Sequence, residues 1–399
     1  MMSKRAVIVS LLLLFGLATA YFVYAKLTDG SEKERADPET MLETVSYSAP
    51  QEDPVPVSQE IPKKVLPPPP PPPDMDRMKR EGCVTDGLLN GDFPGDGKTF
   101  KLMNDSGCYY LHRSIGTWLD PPDWEDIDRN MAALRPGFLH GMFIAEAIDT
   151  KAKYFSDDEG RRLDFGEMCR SGSKNFWGEH TCKPSFQREE YRTYIRSITR
   201  EAMDRNVQVF MFGQVYLQDA SDLSESAIPD IIREMRQYAA IRDMRILVGA
   251  QTNDIADPSY LGLFDFIEGG VGIDAEGDIE NGPCHSRWWK RPGDWCWGLL
   301  WNERFSKHAR NVFLHYDWSG KIGDDMSVFT RMSKEKREET TRRLHTYFIG
   351  KDMGFLLPYL ARLHVDNGGC TGPGKRYYTP DDRYHCDDEA AWNRILQGK

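Results

Sequence analysis

The sequence predicts an α/β fold, a (β/α)8 barrel, over residues 83–399. Short apolar runs typical of buried strands alternate there with longer amphipathic runs typical of helices. This alternation indicates parallel strands joined by helical crossovers. No G-x-G-x-x-G motif follows a strand candidate, which disfavours the open, doubly wound sheet that binds dinucleotides. A barrel is therefore the preferred architecture.

Seven strand candidates are visible, and we interpret the domain as an eight-stranded barrel in which the pattern does not reveal one strand. The candidates are Cys108–His112, Phe138–Ala145, Val207–Val215, Arg245–Ala250, Phe264–Glu268, Asn311–Tyr316 and Gly354–Leu357. Helices are predicted over Pro122–Leu134, Gln187–Arg205, Ser226–Ile241, Asn302–Ala309 and Ser333–Gly350. Proline near the start of the first helix, and serine at the start of the last, are helix start signals.

Residues 1–25 are predicted to be a cytoplasmic tip followed by a transmembrane signal anchor. Ala6–Ala25 is an almost unbroken apolar run, preceded by Lys4 and Arg5. Such a helix rises about 1.5 Å per residue and spans roughly 30 Å of hydrocarbon, with its basic end in the cytoplasm. A cleaved signal peptide is the alternative, because Ala18-Thr19-Ala20 resembles a cleavage site. The domain is extracytoplasmic in the first case and secreted in the second.

Residues 26–82 are predicted to form a disordered linker. The segment is polar, acidic and rich in proline, and it contains the tract Pro67–Pro73. It lacks the apolar residues that would offset the entropy lost on ordering. A proline tract is also a possible ligand for SH3 or WW domains. Because those domains act mostly in the cytoplasm, we prefer a spacer that holds an exported domain away from the membrane.

The eight cysteines all follow the linker and are predicted to form disulfides, since an even number in an exported domain is typical of a disulfide framework. Eight cysteines allow 105 pairings. Proximity in sequence suggests Cys83 with Cys108, Cys169 with Cys182, Cys284 with Cys296, and Cys370 with Cys386. A zinc site is the alternative, but no C-x-x-C spacing is present.

The charge pattern gives no indication of a nucleic-acid partner, and we predict none. The net charge is −11, and Lys and Arg residues are interspersed with acidic ones and form no basic block. The predicted partners are instead a carbohydrate and, through the N-terminal helix, the membrane.

Carboxylates follow several strand candidates, at the barrel end where active sites form. Glu268 is the first catalytic candidate, because Phe264–Ile267 should be buried and Gly269-Gly270 permits close approach. Burial is expected to raise the pKa of Glu268 and suit it to act as a general acid. Asp317 is the candidate partner, and Glu146 or Asp254 could replace either. The alternative for the aspartates is an ordinary turn residue, and for Glu268 a residue that only closes a loop.

Aromatic and amide side chains near the same strand ends are candidates for binding sugar. Five of the ten tryptophans lie within the fourteen residues 288–301, and indole faces stack well on pyranose rings. Tryptophans are also often simply buried. The substrate-binding candidates are Trp288, Trp289, Trp295, Trp318, Tyr316, Gln214, Asn253 and His112.

With these residues the domain resembles a glycoside-hydrolase-type barrel across roughly residues 100–365. The resemblance is architectural, and it implies carbohydrate hydrolysis by two carboxyl groups. Large retaining groups of that class place Asn-Glu after the fourth strand and Glu after the seventh. This chain instead has Asn253-Asp254, and no acidic residue directly follows Leu357.

Two other functions remain open. A non-catalytic barrel could bind glycans through the tryptophan-rich segment. A metal-dependent polysaccharide deacetylase or amidohydrolase would use histidines such as His112, His140, His315 and His364, which lie on or near strand candidates. No H-x-H or H-E-x-x-H motif is present. We therefore predict no metal and no cofactor.

Overall fold

A computed structural model describes residues 66–93, 97–174, 177–219, 226–251, 258–279, 307–318, 324–363, 370 and 377–398. The predicted signal anchor and the linker up to residue 65 lie outside this part of the chain. From residue 66 onwards, no helix of the described segments is long and apolar enough to cross a membrane.

The strands form one large curled sheet and two small ones. They are β1 Gly82–Thr85, β2 Tyr110–Gly116, β3 Leu139–Ile144, β4 Ile148–Asp149, β5 Phe155–Ser156, β6 Arg161–Arg162, β7 Cys169–Lys174, β8 Thr181–Pro184, β9 Val209–Phe212, β10 Leu247–Gln251, β11 Phe266–Gly270, β12 Val312–His315, β13 Gly354–Phe355, β14 Leu357–Arg362 and β15 Tyr377–Tyr378. The large sheet has the order β13-β12-β11-β10-β9-β3-β2-β1-β14-β15, and only its β14–β15 pair is antiparallel.

The two ends of this sheet meet in one continuous segment. Only Leu356 separates β13 from β14. In β13, Gly354 pairs with Phe313 of β12, whereas in β14, Leu357 pairs with Cys83 of β1. Because β13 and β14 together occupy one position, the parallel strands form a ring of eight positions that resembles a TIM barrel. Apolar residues of most strands form its core.

Helices cover the sheet as the alternating pattern predicts. They are α1 Met75–Arg80, α2 Gly97–Asp105, α3 Trp124–Ala132, α4 Glu189–Asp204, α5 Val215–Gln218, α6 Ile228–Ile241, α7 Pro258–Leu261, α8 Asp325–Phe329, α9 Lys334–Ile349 and α10 Glu389–Leu396. Ser333 caps α9 as predicted, since its side chain accepts a hydrogen bond from the N–H of Lys336. Most of the helix predicted at Asn302–Ala309 lies outside the described residues.

The strand that the sequence pattern did not reveal is β1. It begins at Gly82, the last residue of the segment predicted as linker. That segment is ordered from Met75, because α1 is capped by Asp74 and buries Met78. The last part of the segment predicted as linker, which extends to residue 82, thus contains this helix.

The proline tract also contacts the barrel. The side chain of Asn206 donates a hydrogen bond of 3.0 Å to the carbonyl of Pro68. Gln208 likewise donates one of 3.0 Å to the carbonyl of Pro71. Both donors lie just before β9, at the amino end of a barrel strand and hence at the end opposite the expected active site.

Three of the four predicted disulfides are confirmed. They join Cys83 to Cys108, Cys169 to Cys182, and Cys370 to Cys386. The predicted pair Cys284–Cys296 lies outside the described residues. The bond of Cys169 to Cys182 joins β7 and β8, which form with β4 a small sheet inserted between β3 and α4.

Candidate active site at the carboxyl ends of the barrel strands

Glu268 lies within β11 and has no solvent exposure. The strand register aligns it with Gln251, the last residue of β10. The side-chain amide of Gln251 donates a hydrogen bond to Glu268 Oε1. The predicted burial of Glu268 is thus confirmed, and one of its two oxygens is held by the neighbouring strand.

Two histidines approach the other oxygen of the same carboxylate. His112 Nε2 lies 2.6 Å from Glu268 Oε2, and His315 Nε2 lies 3.3 Å from it. His112 belongs to β2, four positions from β11 around the barrel, so this contact crosses the barrel interior. His315 ends the adjacent strand β12. All three side chains are buried.

The surroundings of Glu268 favour its ionised form. Burial by itself would raise the pKa of Glu268, but attraction to His112 and His315 outweighs it and holds the pKa well below its usual range. Burial likewise acts to lower the pKa of His315, and attraction to Glu268 reverses this and raises it. Burial prevails at His112, whose pKa is lowered. The predicted rise in the pKa of Glu268 is wrong, because two histidines from other strands stabilise its charged form more than burial destabilises it.

Glu146 is a second buried carboxyl group, just beyond β3. Burial raises its pKa, and the nearby cations of Arg113 and Lys183 only partly oppose this. Its Oε2 has no hydrogen-bond partner in the described part of the chain. A Cβ atom at Gly213 would lie 2.5 Å from that oxygen and 2.4 Å from Phe143 Cζ. The glycine therefore makes room for both side chains.

Arg113 connects the surroundings of the two carboxyl groups. Its guanidinium carbon lies 3.8 Å from the centre of the Phe143 ring and 4.7 Å from that of Trp318. Its Nε lies 3.2 Å from Asp86 Oδ1. Trp318 in turn packs against His315, with ring centres 4.4 Å apart. Trp318, a predicted substrate-binding residue, therefore lies beside the candidate site, with its ring buried.

An aromatic pair that sequence reasoning did not single out, the exposed Trp118 and the half-buried Trp177, lies on the Glu146 side. Trp118 is 40% exposed, and its ring centre lies 6.0 Å from that of Trp177 and 6.2 Å from that of Phe143. Lys183 Nζ lies 5.4 Å from the centre of the Trp177 ring. Trp118 comes two residues after β2, so the rule that selected other strand-end residues could have found it. Trp177 lies in the insertion between β3 and α4, which showed no clear periodicity.

Tyr316, another predicted substrate-binding residue, does not lie beside Glu268. Tyr316 is buried, stacks on Phe329, and its hydroxyl lies 2.9 Å from Thr341 Oγ1 of α9. Because neighbouring residues of a strand point to opposite faces, Tyr316 faces the helical layer while His315 faces Glu268. This position contradicts its predicted contact with substrate.

Asp317, the predicted partner of Glu268, lies near His315. Its backbone N–H donates a 3.0 Å hydrogen bond to Asp325 Oδ2, and its charge helps to raise the pKa of His315. Gln214 adopts a left-handed conformation, with φ of 34°, before α5. The remaining predicted residues lie outside the described part of the chain: Asn253, Asp254, Trp288, Trp289 and Trp295.

Glu268 and the two histidines beside it could also hold a metal ion. His112 Nε2, Glu268 Oε2 and His315 Nε2 all lie within 4.8 Å of one another. Imidazole nitrogens with a carboxylate oxygen are a common donor set for transition metals.

Comparison with known proteins identifies no family for this chain. No family model matches it, and no curated protein matches its sequence. Solved structures that match include a β-L-arabinopyranosidase from Geobacillus stearothermophilus, with 9% identity, a TM-score of 0.38 and coverage of 81% of this chain and 78% of the other. An α-amylase from Malbranchea cinnamomea matches with 8% identity, a TM-score of 0.43 and coverage of 81% and 76%. Phosphoribosyl anthranilate isomerase from Thermus thermophilus matches with 10% identity, a TM-score of 0.35 and coverage of 79% and 98%. Likeness at this level carries no conclusion about activity.

Proposed function

We propose that this protein hydrolyses glycosidic bonds in a carbohydrate, with Glu146 as the proton donor and Glu268 as the ionised carboxylate. One observation carries the proposal. Two buried carboxyl groups lie on barrel strands β3 and β11, or just beyond them, in surroundings that shift their pKa values in opposite directions. Glycoside hydrolysis uses such a pair, one as acid and the other as nucleophile or base. Opposed pKa shifts separate the two roles.

Glu146 suits the role of acid. Burial raises its pKa, which favours the protonated form. A protonated carboxyl group has one O–H to donate, and Glu146 Oε2 has no competing partner among the described residues. Arg113 and Lys183 limit the rise in pKa, so that the proton can still leave.

Glu268 suits the role of the anion. The amide of Gln251 holds Oε1 and fixes the orientation of the group. The histidines keep its pKa low, so that it stays charged where a positive centre would develop on the sugar. The anomeric form of the first product, followed by NMR, tells whether Glu268 acts as nucleophile or as base.

Trp118 and Trp177 provide the surface for the sugar. The exposed face of Trp118 lies beside Phe143, which neighbours Glu146 at Gly213. Aromatic faces bind apolar C–H surfaces, and a pyranose ring offers one. A sugar stacked on Trp118 would therefore lie on the Glu146 side of the barrel mouth.

The test is turnover by the full-length chain, purified in detergent, on aryl glycosides and on bacterial and plant polysaccharides. Glu146→Gln should lower kcat by about 100- to 10,000-fold, the usual contribution of a general acid. Its melting temperature should stay near that of wild type, since Glu146 Oε2 has no hydrogen-bond partner among the described residues. Glu335→Gln, at an exposed helix position, is the matched control and should keep full activity.

Glu268→Gln should also abolish turnover, and wild type should keep its activity after treatment with a chelator. Full activity in both Glu146→Gln and Glu268→Gln would contradict the proposal. Oligosaccharide binding by wild type without any turnover would indicate a non-catalytic glycan-binding barrel. Activity lost with chelator and restored by zinc would indicate the metal-dependent deacetylase or amidohydrolase.

A further inference from the structure

We propose that His112, Glu268 and His315 bind a divalent transition-metal ion such as Zn²⁺, through His112 Nε2, Glu268 Oε2 and His315 Nε2. The three residues come from β2, β11 and β12, and they meet only in the folded barrel.

The spacing of the three atoms fits a shared ion. They lie within 4.8 Å of one another, with 2.6 Å between His112 Nε2 and Glu268 Oε2 and 3.3 Å between His315 Nε2 and that oxygen. Tetrahedral zinc with bonds of about 2.0–2.2 Å holds two ligand atoms roughly 3.4 Å apart. The contact of His315 Nε2 with Glu268 Oε2 already has this length, and His112 Nε2 would have to move away from Glu268 Oε2 by less than about 1 Å.

The three atoms also lack any other partner. Although they are close, none of them completes a hydrogen bond of regular geometry among the described residues. An unsatisfied buried polar atom costs about 1–3 kcal/mol. Three such atoms at one point in a barrel core require an explanation, and an ion that all three coordinate supplies it.

The remaining polar atoms of the three side chains are held as a metal site requires. His315 Nδ1 lies 3.0 Å from the carbonyl oxygen of Tyr316, which can only accept, so Nδ1 carries the proton. In the neutral ring this leaves Nε2 with a free lone pair. His112 Nδ1 lies 2.9 Å from the Tyr110 hydroxyl, and Gln251 holds Glu268 Oε1. Such outer partners orient metal ligands and strengthen binding.

The donor set selects the type of ion. Two imidazoles and one carboxylate suit Zn²⁺, Co²⁺, Ni²⁺ or Cu²⁺, whereas Mg²⁺ and Ca²⁺ prefer sites made of oxygen alone. Three protein ligands leave a position open for water or another molecule. An ion there would occupy the oxygen of Glu268 that hydrolysis uses, so we expect it to inhibit turnover. That inhibition rests on the proposed function, whereas binding does not.

Binding is measured by titrating the chelator-treated, full-length chain with Co²⁺ and following its visible absorption. We expect saturation at one ion per chain, displacement by Zn²⁺ and no competition from excess Mg²⁺. His112→Gln and His315→Gln should each abolish the signal. His140→Gln, which replaces another buried histidine on a barrel strand, is the matched control and should bind as wild type does.

A milder pair of variants keeps the test valid if the histidine variants do not fold. Tyr110→Phe removes only the hydroxyl beside His112 and should weaken Co²⁺ binding about 10- to 100-fold. Tyr359→Phe removes a hydroxyl that bonds to Asn393 and should change nothing. Absence of Co²⁺ and Zn²⁺ binding by wild type, or unchanged binding by Tyr110→Phe, would overturn the proposal. Turnover without ion binding would refute the metal site alone, and ion binding without turnover would refute the hydrolase alone.

Discussion

The substitution Gly213→Ala tests the placement of Glu146. Gly213 directly follows β9, and a Cβ atom there would lie 2.4 Å from Phe143 Cζ and 2.5 Å from Glu146 Oε2. Carbon atoms in contact are about 3.5–4.0 Å apart, so both side chains must move by about 1 Å. Overpacking of this kind costs about 1–3 kcal/mol in the free energy of unfolding. A displacement of about 1 Å at a catalytic group costs roughly 100-fold in rate.

The assay compares kcat and KM of Gly213→Ala with those of wild type, and the free energy of unfolding is measured in urea. Gly116→Ala is the matched control, because a Cβ atom at this strand-end glycine meets no other atom within 4 Å. We expect kcat of Gly213→Ala to fall about 100-fold, with a smaller change in KM. Unchanged kcat, with the expected loss of stability, would refute Glu146 as the proton donor.

Two further predictions concern His140 and Trp118. Burial lowers the pKa of His140 from 6.5 to about 4, so its contribution to stability is full above pH 6.5 and decreases as pH falls towards 4, by up to about 3 kcal/mol. The difference in unfolding free energy between wild type and His140→Gln, measured in urea, should therefore shrink over this range, and a constant difference would contradict the shift. Trp118→Ala should raise KM about 3- to 10-fold with little change in kcat, as expected for loss of a stacking surface. Tyr347→Ala, at a similarly exposed aromatic residue of α9, is its control, and a fall in kcat alone would contradict stacking.

Local patterns predicted most of the barrel. Apolar runs such as Asn311–Tyr316 coincide with strands, because a buried strand must be apolar along its length. Ser333 marks the start of α9, because a cap needs only a side-chain oxygen next to free backbone N–H groups. The same reasoning missed β1 and the two-residue strands of the insertion after β3, because such short runs show no period.

The candidate site was predicted only in part. The apolar residues before Glu268 correctly indicated its burial. They also led to the wrong expectation for its pKa, because burial was the only influence visible along the chain. Trp118 follows a strand but stands alone in the sequence, whereas residues 288–301 contain a dense group of tryptophans that predicts a sugar-binding surface more strongly.

The sequence by itself determined the alternation of strands and helices and the burial of Glu268, and it suggested the three cysteine pairs that the structure contains. These depend on hydrophobic patterning and on residues that are close along the chain. Only the tertiary structure decided that His112 crosses the barrel to Glu268, and that Gly213 leaves room for the carboxyl group of Glu146. The physical reason is that charge interactions and steric contacts act over a few ångströms of space. Barrel closure brings together strands that are far apart in sequence. The resulting surroundings shift the pKa of Glu146 upwards and the pKa of Glu268 downwards.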